Sequence, residues 1–291
     1  MRQETEDGKN WRIVRNRVCI RALLIFLGII LMQVLAYMLC VLGIMIYGLI
    51  AKQQVMELFG NLAKADVGDG RFVITVSLVS ALLSGIWCGI LYHKSDWRER
   101  PFDYHAALCG KNILSAAATG IGCCLFLQIL LSILAMWIPE AFESYNQVMG
   151  NLTDSDTVIV VLYVLLIGPI TEELIFRGAI LDRFYLAFPF LAANLLQAVL
   201  FGIYHMNLIQ GLYAFCLGMV LGLARFVSGS ILIPAFIHIM FNTTSYVTSY
   251  FFAGEETAQT GTLILLMLFG AVLLFIGLRH WWYGFQKKVI N

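Results

Sequence analysis

The chain has 291 residues, of which 60% are hydrophobic and 13% are charged, and its mean hydropathy is +0.83. Soluble domains carry about 25% charged residues, so this composition leaves too few charges for a water-facing surface of ordinary size. The formal net charge of +1 and the lack of a basic stripe argue against a nucleic-acid partner. Membrane lipid is therefore the expected surrounding of most of the chain.

Uncharged runs long enough to cross a bilayer recur along the chain. A helix needs about 20 apolar residues to span the hydrocarbon core. Six uncharged runs of that order are present: 22–51, 72–92, 112–139, 184–204, 206–224 and 257–278. The run 157–181 contains two glutamates and one arginine, and the run 226–254 contains one histidine. The sequence thus predicts an all-α polytopic membrane protein with about eight transmembrane helices around a polar intramembrane cavity.

The distribution of basic residues predicts the orientation. With eight spans, 16 of the 19 Lys and Arg residues fall on one side of the membrane, and only Lys52, Lys64 and Arg71 fall on the other. Because basic residues concentrate in cytoplasmic connections, both termini are expected in the cytoplasm. The chain then divides into four stretches: a cytoplasmic tail 1–21, helices without recognised motifs 22–150, a motif-bearing core 151–254, and a last helix with its tail 255–291.

Two adjacent glutamates inside an apolar run are the most unusual feature of the sequence. Of the 18 acidic residues, all but Glu172 and Glu173 fall in connections or tails. A charge at the bilayer centre costs about 3 kcal/mol on insertion scales, so such residues usually face a cavity or a partner. An ion-pair cluster that fixes helix packing is one interpretation of the pair, and a chemical site is the other.

Helix geometry separates the two glutamates. Neighbouring residues on an α-helix point about 100° apart, so the two carboxylates are expected to address different points. Glu173 lies four residues before Arg177, which is the favourable order for an ion pair. The spacing predicts that Glu173 and Arg177 pair in a structural or orienting role, and it leaves Glu172 free for chemistry.

Two histidines and an asparagine lie in or beside later apolar runs. His205 ends LFGIYH, with Phe201 four residues before it, and His238 lies four residues before Asn242. A lone histidine in a membrane helix more often packs or hydrogen-bonds between helices. Together with Glu172, however, these side chains can supply a general base and hydrogen-bond donors to an oxyanion. The glutamate and the two histidines could also bind zinc.

Counting residues along the runs places these groups at different depths in the membrane. Glu172 and His238 fall in the cytoplasmic half of their runs, whereas His205 falls at the far end of a short one. For the groups to meet, the fifth span must be tilted, broken or shallow. Pro189 near the start of that span favours an irregular entry.

Three motifs in order resemble those of one family. TEELIFRG resembles the EExxxR motif of the CPBP family, the intramembrane CAAX proteases and bacteriocin-processing enzymes, also called the ABI family. FGIYH resembles the FxxxH motif of that family, and HIMFN resembles its HxxxN motif. The spacing is also similar, and the resemblance covers about residues 157–250.

The resemblance implies an intramembrane endopeptidase, in a bacterial cell membrane, that hydrolyses a peptide bond of a membrane-associated protein or peptide. The processing would be of the CAAX type or of the leader and bacteriocin type. Carried over by position, Glu172 would activate the water molecule that attacks the peptide bond, and His205 would hold or polarise this water. His238 and Asn242 would form the oxyanion hole. The remaining charged positions of the first motif, Glu173 and Arg177, would orient the site.

Three alternatives stay open. The same peptidase could be zinc-dependent, with the metal held by Glu172, His205 and His238. A mechanism without cofactor is preferred, because asparagine is a poor zinc ligand and the chain lacks the HExxH arrangement. A non-catalytic immunity or scaffold protein of the membrane would keep the same fold. A proton-coupled transporter would also bury Glu and His, but it often shows repeated halves, and no internal repeat is present.

Overall fold

The computed structural model describes residues 2–51, 70–94, 107–143, 145–146, 158–252 and 260–290. Within these ranges the chain is helical and contains no strand. Its long helical segments, numbered here in chain order, are α1 Arg2–Ile50, α2 Gly70–His93, α3 Gly110–Ala135, α4 Val158–Ala187, α5 Phe190–Tyr204, α6 Leu208–Ser228, α7 Leu232–Phe252 and α8 Thr260–Ile290.

Six of these segments are long and apolar enough to cross a membrane, whereas the sequence predicts about eight. The six are α1, α2, α3, α4, α6 and α8. The segment α5 has 15 residues and rises only about 22 Å, which is less than the hydrocarbon thickness. The segment α7 has 21 residues, but seven of them, from His238 to Ser249, are histidine, asparagine, threonine or serine. The molecule is a polytopic α-helical membrane protein, and the count of eight spans is not exact.

The first helix begins before its apolar part. α1 starts at Arg2, and its membrane-spanning part begins at Arg15. The residues expected to form a separate tail are therefore helical and continuous with the first span. Lys52, Lys64 and most of the acidic connection 140–156 lie outside the described residues, so the predicted orientation stays a prediction.

The buried side chains form two clusters that meet at α6. One cluster joins α1, α2, α4 and α5, and it includes Phe26, Phe176 and Phe201. The other joins α3, α6, α7 and α8, with Ile237 and Trp281 among its fully buried members. Tyr213 of α6 packs against both clusters. The two predicted motif helices α4 and α7 belong to different clusters, so a site between them lies at the junction.

The helices α5 and α6 form a tight hairpin. A Cβ atom placed on Gly202 would lie 2.8 Å from the carbonyl oxygen of Gly211, and one placed on Gly211 would lie 2.9 Å from the carbonyl oxygen of Gly202. Because both contacts are with backbone, no side chain can move aside to make room. Glycine at these two positions sets the distance between the helices, and it thereby places the turn 205–207 that follows α5.

A buried ion pair fixes the end of α4 against α6. The guanidinium Nη2 of Arg225 lies 3.1 Å from Oδ2 of Asp182, and both side chains are almost fully buried. The pair was not anticipated, because both residues were assigned to connections between spans. Extension of α4 to Ala187 and of α6 to Ser228 brings them inside the packed helices.

Candidate active site

The two glutamates lie between two π-helical turns of α4. The α-helical stretch Gly168–Glu173 is preceded by π-helix at Tyr163–Ile167 and followed by π-helix at Leu174–Ile180. Pro169 explains the first irregularity, because it has no N–H and its ring displaces the carbonyl four residues earlier. Single π-helical turns inside α-helices are frequent at functional sites. The sequence predicts one unbroken span here and does not reveal the change in helix type.

Glu173 and Arg177 form the ion pair expected from their spacing. Nη1 of Arg177 donates to Oε1 of Glu173 at 2.8 Å, and both side chains are fully buried. The same guanidinium donates through Nη2 to the carbonyl oxygen of Gly218 at 3.3 Å and lies 4.4 Å from the ring centroid of Phe201. Arg177 thus joins α4 to both α5 and α6.

His238 lies between the two carboxylates. Its Nδ1 is 3.0 Å from Oε1 of Glu173, and its Nε2 is 3.8 Å from Oε2 of Glu172. The expectation that adjacent glutamates address different points therefore needs correction, because the two nitrogens of one imidazole reach both. The glutamates still differ in exposure: the side chain of Glu173 is fully buried, whereas that of Glu172 is 17% exposed.

His205 occupies the turn after α5 and has a defined tautomer. Its Nδ1 lies 2.9 Å from the carbonyl oxygen of Phe201. Because a carbonyl oxygen can only accept, Nδ1 carries the hydrogen, and Nε2 of the neutral ring is left as an acceptor. The next residue, Met206, has φ of 51°, which is uncommon for a residue other than glycine. Such backbone strain concentrates at functional sites.

The ring of Phe201 brings the two histidines into one site. Its centroid is 4.9 Å from that of His205 and 5.9 Å from that of His238, with both pairs in edge-to-face geometry. The carboxylate of Glu172 also acts electrostatically on His205. The short α5 removes the difference in depth expected from residue counting, since it ends at the level of the glutamates rather than at the far membrane surface.

Asn242 contacts the backbone of α4. Its Nδ2 donates to the carbonyl oxygen of Val164 at 2.8 Å. Val164 lies in the first π-helical turn, and Asn242 lies one helical turn after His238 on α7. The structure therefore brings all six predicted site residues to the junction of α4, α5 and α7.

Three tyrosines near Glu172 were not anticipated from the sequence. The charge of Glu172 acts on the hydroxyl groups of Tyr163, Tyr204 and Tyr213. Tyr163 lies beside Ser77 of α2, and Tyr204 lies beside Gln33 of α1. The helices α1 and α2, which carry no recognised motif, thus reach the surroundings of the site.

Two buried amide side chains of α5 form hydrogen bonds in the same region, and the sequence motifs do not predict them. Gln197 donates to the carbonyl oxygen of Gly218 at 2.9 Å and to Oδ1 of Asn194 at 2.7 Å. Asn194 in turn donates to the carbonyl oxygen of Met219 at 2.9 Å. Polar residues three apart in an otherwise apolar run were the available sequence signal, since buried amides need partners.

Zinc ligation was tested on the same residues. Among the described side chains, no three His, Cys, Asp or Glu groups converge in an arrangement that fits a metal ion. Nδ1 of His238 and Nδ1 of His205 are both engaged in the contacts given above, which leaves Nε2 as the ring nitrogen that could bind a metal. The alternative set of Glu172, His205 and His238 does not form such a group among the described residues.

Comparison with known proteins agrees with the motifs. Residues 154–244 match the family described as "Type II CAAX prenyl endopeptidase Rce1-like", and the match includes all six predicted site residues. Residues 154–244, called here the CAAX protease segment, are similar to that family. This CAAX protease segment contains all of α4, α5 and α6, and the first 13 residues of α7.

A curated bacterial relative matches part of the chain. The protein named "Putative membrane peptidase YdiL" of Bacillus subtilis strain 168 is 36% identical over 78 residues. The aligned region is 27% of this chain, and it spans 32% of the relative, about a third of its length. No solved structure matches the chain at the same level of significance.

Proposed function

We propose that the protein is an intramembrane endopeptidase that hydrolyses a peptide bond of a membrane-associated protein or peptide. The support comes from the CAAX protease segment, from the name of the bacterial relative, and from the polar site inside a polytopic helical molecule. The substrate class would be the C-terminus of a lipidated protein, a leader peptide or a single-span segment.

The different surroundings of the two glutamates carry the proposal. Glu173 is fully buried, and its Oε1 already accepts from Arg177 and lies against His238. Glu172 is partly exposed, and among the described residues its carboxylate has the longer 3.8 Å contact with His238. A general base must reach the proton that it removes, and Glu172 is the carboxylate that meets this condition.

The other side chains receive roles that follow from their donors and acceptors. With Nδ1–H held by a carbonyl, Nε2 of His205 accepts a hydrogen of the water and helps to orient it. His238 and Asn242 supply donors toward the tetrahedral oxyanion. Donors that are fixed before the reaction stabilise such an intermediate more than mobile water does.

Glutamine at position 172 tests the proposal. Glu172→Gln keeps the size of the side chain and removes the base, so peptide cleavage should fall by at least about 10²-fold. The measurement uses purified protein in proteoliposomes with two quenched-fluorescence probes, a peptide ending in a prenylated CAAX sequence and a single-span leader peptide. Glu140→Gln, an exposed glutamate outside the site, is the matched control and should cleave at the wild-type rate.

Full activity of Glu172→Gln would show that Glu172 is not the base. Metal dependence is tested on the same preparation with a chelator and with elemental analysis. Activity that the chelator removes and that zinc restores would favour the zinc-dependent peptidase over the glutamate mechanism. A correctly folded protein that binds a probe without cleaving it would favour the immunity or scaffold alternative.

A further inference from the structure

The carbonyl group of Val164 has lost both of its regular backbone donors. In an α-helix this oxygen would accept from the N–H of Gly168, and in a π-helix it would accept from the N–H of residue 169. The N–H of Gly168 instead donates to the carbonyl oxygen of Tyr163. Residue 169 is proline and has no N–H to give.

Asn242 replaces the missing backbone donor. Its Nδ2 donates to the Val164 oxygen at 2.8 Å, across the gap between α4 and α7. An unpaired carbonyl inside the membrane would cost several kcal/mol, so the hydrogen bond is strongly favoured. A primary amide has two N–H groups, and the second N–H of Asn242 stays available in a fixed direction.

We propose that Pro169 is a positioning residue: it leaves the Val164 carbonyl without a backbone donor, and this carbonyl holds the Asn242 amide ready for the oxyanion. Pro169 does not touch the substrate and acts through Asn242. The inference rests on the proposed peptidase function, and it assigns a role to a residue outside the six that the motifs identify. It also explains why the helix that carries Glu172 and Glu173 contains a helix-breaking residue three positions before the first of them.

Restoring the N–H at position 169 tests the proposal. In Pro169→Ala the Val164 oxygen gains a backbone donor whichever type of helix forms. The donor is the N–H of Gly168 in an α-helix and the N–H of the new alanine in a π-helix. Asn242 then loses its anchor. We expect kcat for the CAAX-type probe to fall between about 10- and 100-fold, as for a misplaced catalytic group. KM should stay within about twofold, because substrate binding does not involve this donor.

A double-mutant cycle separates positioning from general damage. If Pro169 acts through Asn242, adding Pro169→Ala to Asn242→Ala should cause no further loss of kcat. Equal losses in the two backgrounds would overturn the proposal, as would full activity of Pro169→Ala. The matched control is Pro234→Ala, since Pro234 is also buried but lies in the first turn of α7, where N–H groups have no helical partner. Its kcat should stay at the wild-type value.

A second variant covers the case in which Pro169→Ala does not fold. A Cβ atom on Gly168 would lie 3.1 Å from the carbonyl oxygen of Tyr163, so Gly168→Ala disturbs the π-helical turn without adding a donor. It should lower kcat in the wild-type background and have no effect in the Asn242→Ala background. A loss that is the same in both backgrounds would again overturn the positioning role.

Failure of the proposed function leaves a different signature. If Glu172→Gln cleaves as fast as the wild type, the peptidase mechanism is wrong whatever Pro169 does. The effect of Pro169 on Asn242 is then measured as the free energy of unfolding of the wild type, the two single mutants and the double mutant. Pro169→Ala and Asn242→Ala should be coupled in stability, and strictly additive effects would show that Pro169 does not hold Asn242.

Discussion

At the scale of single residues, one imidazole connects two carboxylates with different surroundings. Oε1 of Glu173 is shared by Arg177 and His238, whereas Glu172 makes a longer contact with His238. Glu173 therefore holds two side chains in place, and Glu172 stays partly exposed beside His238. The difference between the adjacent glutamates comes from what surrounds them and not from their position along the helix alone.

Neutralising Glu173 should destabilise the protein. Glu173→Gln leaves the buried guanidinium of Arg177 without its charged partner, and breaking a buried pair in this way costs about 3–5 kcal/mol. The free energy of unfolding in mild detergent, measured with a chemical denaturant, checks this value. Glu172→Gln is the matched control and should change stability by less than about 1 kcal/mol, because Glu172 is partly exposed. Wild-type stability of Glu173→Gln would contradict a structural role.

The sequence was sufficient to predict contacts within one helix and not those between helices. The pair of Glu173 and Arg177 follows from a spacing of four residues, and it is present. The position of His238 between both glutamates depends on how α7 packs against α4, which no periodicity reports. The contacts of Tyr163 and Tyr204 with the first two helices were missed for the same reason.

At the scale of helices, the ends of α5 show what residue counting can and cannot predict. The uncharged run 184–204 predicts one span, but α4 continues to Ala187 and α5 begins at Phe190. Pro189 is the residue before α5, as expected of a residue that starts a helix but cannot continue one. The absence of charge in a run does not show where one helix ends and the next begins.

Widening the α5–α6 hairpin should impair both stability and activity. In Gly202→Ala the new Cβ meets the carbonyl oxygen of Gly211, so the helices must separate, and His205 three residues later must move. We expect a lower Tm and a fall in kcat of about tenfold or more. Gly43→Ala is the matched control, because no atom lies within 4 Å of its new Cβ.

Gly43→Ala should be neutral or slightly stabilising, since alanine favours a helix over glycine by about 0.5–1 kcal/mol. A thermal unfolding series on the two variants and the wild type provides the comparison. Equal Tm values for Gly202→Ala and Gly43→Ala would show that the hairpin tolerates a wider separation. The control shares the type of substitution and lies in a long apolar helix, so the difference reports the helix contact alone.

At the scale of the whole molecule, the site lies where two packed groups of helices meet. α4 brings the carboxylates from one group, and α7 brings His238 and Asn242 from the other. The order of the helical segments was predictable from the uncharged runs and the motifs. Their grouping was not, because apolar side chains that face lipid and those that face another helix look alike in sequence.

Both termini are expected on the cytoplasmic side. An even number of crossings returns the chain to its starting side, and the basic residues favour the cytoplasm for that side. Fusing a green fluorescent protein to either end should give fluorescent cells, whereas alkaline phosphatase at either end should be inactive. An active phosphatase fusion at one end alone would require an odd number of crossings and would revise the orientation of the site.

The short α5 has a consequence for the water that the proposed peptidase would consume. Under the proposed function, each cleavage would use one water molecule, which would have to reach Glu172 through a region that excludes water. A helix rising about 22 Å falls roughly 8 Å short of the hydrocarbon thickness, and a bilayer adapts to such a mismatch by becoming thinner locally. We expect lipid headgroups and water to approach the turn at His205, so that the water crosses only part of the membrane. A thicker bilayer would lengthen that path and should slow turnover without changing any contact within the site.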